Sequence, residues 1–256
     1  MPAARLIDER TMKIYDRGQF RTVSDALVIE VSIKLILNGS ELAVLACSPE
    51  AFEELTVGYL LSEGIITDYE DLAEIRVEGE NVYIELRNRD ESRPNRGYIS
   101  SCSGKRLPGD YNRPDLIQAG AGQRFSAGDL LRLIGQLDEK STTFKRTGGV
   151  HSAALGQGNT LLFRYEDIGR HNAVDKVLGN TFSKRIPPAD KCLVLSGRIA
   201  WEIVWKAAQS HIPLILSRSA PTFKAVEWAE YLGLTIVGFA RGERFNLYSH
   251  WERVEA

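Results

Sequence analysis

The chain has 256 residues, 43% of them hydrophobic and 26% charged, enough for one large domain or two small ones with real cores. Lys plus Arg (32) nearly balances Asp plus Glu (34) for a net charge of -2, so no global basic field draws the chain to nucleic acid or acidic membranes, and any anion site must be local. No apolar run approaches the roughly 18 residues a membrane span needs, and charges stand in the opening MPAARLIDER where a signal peptide is apolar, so a cytoplasmic location is expected.

In chain order, residues 27–37 (LVIEVSIKLIL) alternate apolar and polar positions, and Asn38-Gly39 then turns the chain into 41–47 (ELAVLAC), a predicted hairpin. Ser48-Pro49-Glu50 offers an N-cap with Pro in the first turn. Apolar residues at 52, 55, 57, 59, 60 and 61 predict a helix ending near Gly64. Residues 72–87 predict a second hairpin around Gly79-Glu80-Asn81. From Asn88 to Arg124 no apolar period persists, and Pro94, Pro108 and Pro114 punctuate the stretch. A loop this long inside a compact protein is usually functional or disordered.

Beyond it the rhythm changes. Ser126, with Asp129 three residues on and apolar residues at 130, 131, 133, 134 and 137, predicts a capped helix. Short strands at 150–155 and 160–165 and a helix at 172–179 precede a buried strand at 192–196 (CLVLS). A helix at about 199–210 leads to a strand at 213–217. Pro221 opens a helix closed by Gly233, and a strand follows at 234–240. Apolar strands separated by single helices predict βαβ crossovers and a mostly parallel sheet covered on both faces. The expected architecture is therefore α/β: a strand-rich α+β subdomain over 1–124 that ends in the long loop, then an α/β domain over 125–256.

Cys47, Cys102 and Cys192 are too few and too widely spaced for a disulfide framework. Cys47 ends an apolar strand and Cys192 starts one, which suits buried core thiols. Cys102 sits in Ser100-Ser101-Cys102-Ser103-Gly104-Lys105-Arg106, with Arg93, Arg96 and Arg113 nearby in sequence. Cationic neighbours favour the nucleophilic thiolate, and small neighbours leave it accessible, so Cys102 reads either as a reactive thiol or as a surface thiol without a task.

Three further stretches hold candidate chemistry. In the first, Arg164 to Lys176, His171 and Asp175 lie four apart on one helix face, as a base with its orienting carboxylate, as a carboxylate and imidazole for metal, or as part of an ordinary capped surface helix. Thr147-Gly148-Gly149-Val150-His151 brings a second histidine. The second comprises two turns that follow strands, Ser196-Gly197-Arg198 and Ser217-Arg218-Ser219-Ala220-Pro221-Thr222, where N–H groups, hydroxyls and arginines suit an anion, although capping alone explains the Ser and Thr. The third is Phe239-Ala240-Arg241-Gly242-Glu243-Arg244, where Gly242 between two arginines suits close approach to a phosphate. The three together suggest a phosphorylated or nucleotide-like ligand. No CxxC or HExxH occurs, and Ala173 stands where a zinc deaminase places its Glu, so no metal site and no zinc are expected.

Five segments, GYLLSEGII (58–66), TGGVHSAAL (147–155), EDIGRHNAVDKVLG (166–179), SGRIAWEIVWKAA (196–208) and SRSAPTFKAVEWAEYLGLTIVGFARGERFNLY (217–248), resemble the FdhD family of formate dehydrogenase accessory sulfurtransferases, in the family's order. The resemblance implies a cytidine-deaminase-like, three-layer second domain and a homodimer. It also implies a sulfur carrier that takes sulfane sulfur from a cysteine desulfurase and passes it to the molybdenum cofactor, as the bis(molybdopterin guanine dinucleotide), before insertion into apo-formate dehydrogenase. Guanine nucleotides would mimic that substrate. Ser100-Ser101-Cys102 matches the family's persulfide-bearing entry, but the family's common CxxC is here Cys102-Ser103-Gly104-Lys105.

Phe239, Ala240, Arg241, Gly242, Glu243 and Arg244 match the family's cofactor-contacting stretch, with Glu243 in place of a commoner small residue. Arg170, His171, Ser196, Arg198, Ser217 and Arg218 are weaker candidates. Two other readings stand beside the carrier: a non-enzymatic chaperone of the cofactor, and a deaminase-fold hydrolase of a free nucleotide.

Overall fold

In the computed structural model, residues 5–87 and 123–256 are described. The stretch 88–122, which contains Cys102 and most of the expected long loop, lies outside them. The chain opens with a ribbon of two strands, β1 (Ile7–Asp16) and β2 (Gln19–Val28), joined at Arg17-Gly18, where both φ angles are positive. Sequence periodicity passed over this ribbon, because most of its side chains on both faces meet solvent and leave no one-sided apolar alternation to read.

The expected single strand over 27–37 is in fact two pieces. β2 stops at Val28, the Ile29 N–H donates to the Leu6 carbonyl, and β3 (Val31–Leu37) starts afresh. Asn38 and Gly39, both at positive φ, turn it into β4 (Ser40–Cys47), as their sequence requires. After α1 (Phe52–Ser62) the chain makes the second expected hairpin, β5 (Leu72–Glu78) and β6 (Asn81–Leu86). These four strands form one sheet in the order β4-β3-β6-β5, with β3 and β6 parallel at its centre. Ser48 does not cap α1. Its hydroxyl accepts from the Ile168 N–H and its own N–H reaches Asp167, so Ala51, in a left-handed conformation, stands at the N-cap instead.

The second part begins with β7 (Phe125–Ser126) and α2 (Ala127–Lys140), which Ser126 caps by accepting from the Asp129 N–H. There follow α3 (Thr142–Thr147), β8 (His151–Gln157), β9 (Thr160–Asp167), α4 (Arg170–Ser183), β10 (Lys191–Leu195), α5 (Trp201–Gln209), β11 (Leu214–Ser217), α6 (Phe223–Leu232), β12 (Thr235–Arg241), β13 (Arg244–Ser249) and β14 (Val254–Glu255). Six strands make one sheet in the order β13-β12-β11-β10-β8-β9. Only β10-β11 and β11-β12 are parallel, while β8-β9, β10-β8 and β12-β13 are antiparallel. The sheet is thus mixed rather than mostly parallel. Gly158 and Gly242, both at positive φ, close tight hairpins at its two flanks, and only the centre is linked by helical crossovers.

Both faces of this sheet are covered. Leu193, Leu195, Ile215 and Ile236 pack with α4, α5 and α6 on one side, and Cys192, Val194, Leu214 and Val237 pack with α2 on the other. The first sheet buries Ile33, Leu35, Val82 and Ile84 against Leu55, Val57 and Leu60 of α1. α1 is buried nearly all round because its remaining face lies on α4. That approach is very close: a Cβ on Gly58 would lie 1.9 Å from the Asp175 carbonyl oxygen, and one on Gly179 would lie 1.9 Å from that of Glu54.

Candidate functional site

The carboxyl ends of β10, β11 and β12 sit side by side, the edge of a parallel region where ligands bind in open α/β sheets. Hydrogen bonds stitch the turns there together. Ser217 Oγ donates to the Gly197 carbonyl at 2.6 Å and accepts from the Ser219 N–H at 3.0 Å. The Arg218 N–H reaches Leu195 O, and the Phe239 N–H reaches Ser219 O, both at 3.0 Å. Arg241 Nε donates to the Arg218 carbonyl at 3.2 Å. Sequence-distant turns therefore form one continuous edge.

Within that edge the candidates differ in availability. Ser196 Oγ accepts from the Ser152 N–H, and Ser217 is fully buried in its turn, so both hydroxyls brace the backbone. Arg218 is paired with Asp138 at 2.8 Å. Arg241 and Arg244 face each other across the β12-β13 turn and are exposed, with Gly242 (φ 56°) and Glu243 between them. Phe239 also carries a positive φ and is 39% exposed, while Ala240 is buried. A non-glycine residue in that conformation beside a candidate site is the kind of local strain that accompanies function.

Arg170 opens α4 beside Gly197. Its Nε is shielded from solvent and has no hydrogen-bond partner among the described residues. His171, next along, is buried. Asp175 shares its helix face but is taken up elsewhere: both carboxylate oxygens lie 2.6 Å from Lys206 Nζ, and Ser62 Oγ donates to one of them at 2.7 Å. His151 starts β8 next to the same turn. Burial first, then the Arg170 and Arg198 guanidinium groups, hold its pKa below the ordinary histidine value, and Asp167 opposes them.

The strongest feature that sequence reading passed over is beneath this edge. Lys176 is wholly buried, with its Nζ 2.7 Å from Asp167. Asp167 also accepts from the Ser48 N–H, the Gly169 N–H and Asn172 Nδ2. One carboxylate thus ties the end of β4 to the first turn of α4, and so fixes Arg170 and His171 at the edge. A lysine among Val174, Val177 and Leu178 was the available signal.

Cys47 and Cys192 are both buried. Burial pushes the Cys47 thiol up to about 12, with Asp167 adding to the shift, and raises Cys192 as well. Neither forms appreciable thiolate near neutrality.

Fold and site edge describe a mixed α/β protein whose arginine-rich strand ends suit a phosphorylated ligand. The chain belongs to the FdhD/NarQ family, whose model matches residues 28–255. It is 38% identical over 253 residues to the sulfur carrier protein FdhD of Bacillus pumilus, covering 96% of this chain and 97% of that one. Likewise it is 38% identical over 248 residues to that of Bacillus subtilis, covering 94% of each. A crystal structure of a candidate formate dehydrogenase accessory protein from Desulfotalea psychrophila shares the fold, with TM-score 0.81 and 24% identity over 98% of this chain and 100% of that one. Among the described residues no helix is long and apolar enough to cross a membrane.

Proposed function

We propose that this protein is a sulfur carrier that serves formate dehydrogenase. The observation that carries the reading is the match, over nearly the whole chain, to relatives named sulfur carrier protein FdhD. In this account the Cys102 thiolate attacks the terminal sulfur of a cysteine desulfurase persulfide. A new S–S bond forms on Cys102 and the desulfurase thiolate leaves, so the exchange is redox-neutral. Cys102 is the candidate because Cys47 and Cys192 are buried and hold their protons, whereas Cys102 stands among Ser, Gly, Lys and Arg in sequence.

The acceptor is the molybdenum cofactor in its bis(molybdopterin guanine dinucleotide) form, bound as substrate, with its phosphates toward Arg241 and Arg244. Exposure of both arginines at the strand-end edge supports that role. A cytoplasmic homodimer, a cytidine-deaminase-like layering of residues 125–256, and docking to the desulfurase and then to apo-formate dehydrogenase belong to the same reading.

One observation favours a second reading, a cofactor chaperone without sulfur chemistry: Lys105 stands where the second cysteine of a CxxC would be. Complementation of a strain lacking its own carrier separates the two. The carrier reading expects wild type to restore formate dehydrogenase activity and Cys102→Ala to fail at equal expression. Full rescue by Cys102→Ala would establish the chaperone.

A further inference from the structure

The turn after β10 lies beside cationic groups that, among the described residues, no carboxylate pairs with directly. A Cβ on Gly197 would lie 3.2 Å from His151 Nδ1 and 3.6 Å from Arg170 Cβ, so the histidine and the first turn of α4 meet where this glycine lacks a side chain. Arg198 follows it and is exposed. Neither Arg170 nor Arg198 has a carboxylate within ion-pair distance among the described residues, and Arg170 Nε is shielded without a partner. The carboxylate acting on His151 is Asp167 of β9, its neighbour in strand register, and that group is paired with Lys176. Shielded positive charge in this arrangement is costly alone and favourable around an anion.

We propose that His151, Arg170 and Arg198 around Gly197 form a site for a doubly charged oxyanion of the phosphate class, and that filling it draws a proton onto His151. The sign follows from the charges. In the empty site, burial and the two arginines keep His151 neutral near pH 7. An anion offsets both guanidinium groups and favours the imidazolium, which adds a third charged donor to the ligand. Affinity therefore rises as pH falls through the midpoint of the filled site. The inference relies on the carrier reading only for the physiological source of the phosphate.

Sulfate is the first probe because it carries a fixed double charge across the histidine range, so any proton taken up belongs to the protein. The ring Cε1–H resonance of His151, identified by its loss in His151→Asn among the four histidines of the chain, reports the midpoint directly. The expected result is saturable: sulfate raises the proton affinity of His151 about tenfold, while chloride at matched ionic strength leaves it in place. Arg198→Gln, an exposed position with little bearing on folding, is expected to raise the midpoint of the empty site, since one repelling charge is gone, and to blunt the sulfate response.

GDP and inorganic phosphate, tested as separate arms, distinguish the source: a response to GDP at lower concentration assigns the site to a nucleotide diphosphate, and a response to inorganic phosphate alone assigns it to a free anion. Equal responses to sulfate and chloride, or no response in any arm, would overturn the site. That result would leave sulfur loading on Cys102 untouched.

Discussion

Lys176 has no solvent contact at all, and its charge is balanced by one carboxylate, Asp167, with a longer hydrogen bond to the Ser48 carbonyl. Removing one partner of a buried pair strands the other charge in a low-dielectric interior. Lys176→Met is therefore expected to lower unfolding stability by about 3–5 kcal/mol in urea denaturation, and a loss under about 1 kcal/mol would show that the Ser48 and Gly169 N–H groups and Asn172 suffice to hold Asp167. The same residue marks a limit of sequence reading. EDIGRHNAVDK reads as a dense charged stretch, which by default means a solvated helix face, yet the fold buries its Asp167, Asp175 and Lys176. Asp167 and Lys176 pair within the stretch, but their further partners and those of Asp175 come from Ser48, Ser62 and Lys206, far away in sequence and invisible to local pattern. The buried thiols were easier: Cys47 and Cys192 lie within apolar strands, and that context alone points to the core.

Among the elements, the helices and strands of both sheets were legible wherever one face is apolar. α2 shows this best, with its cap at Ser126 and its buried stripe of Leu130, Leu133, Ile134 and Leu137. α1 differs, because beyond its acidic first turn every residue from Leu55 to Ser62 is buried, and its sequence says only that it is enclosed. What encloses it is α4, through Gly58 and Gly179. The same substitution should accordingly change sign with place. Gly58→Ala puts a methyl group into the Asp175 carbonyl and is expected to cost about 1–3 kcal/mol in thermal or urea unfolding. Gly135→Ala, on the exposed side of α2 with nothing within 4 Å, is expected to stabilise by about 0.5–1 kcal/mol. Equal effects at both positions would contradict the close helix crossing. The ribbon of β1 and β2 was missed for the converse reason, since most of its residues on both faces are exposed.

For the whole molecule, the topology does what the sequence could only suggest. Three turns read separately at 196–198, 217–219 and 239–244 become one edge because parallel strands bring their carboxyl ends together. Their residues then divide by use: Ser196 and Ser217 brace turns, Arg218 binds Asp138, and Arg241, Arg244, Arg170 and Arg198 make no ion pair among the described residues. Residue types and spacing could not have shown that division, because an arginine paired across the fold and a free one look alike in sequence. The expected mostly parallel sheet fails for a related reason, since apolar strand runs do not reveal which flanking strands return as hairpins.

Sulfur loading on Cys102 is what separates a carrier from a chaperone, and intact mass reads it. The purified chain is incubated with a cysteine desulfurase and cysteine, without added reductant, alongside Cys102→Ala. The account expects wild type to gain the mass of one sulfur atom, removable by a thiol reductant, and Cys102→Ala to gain none. A sulfur adduct of equal yield on Cys102→Ala would contradict it.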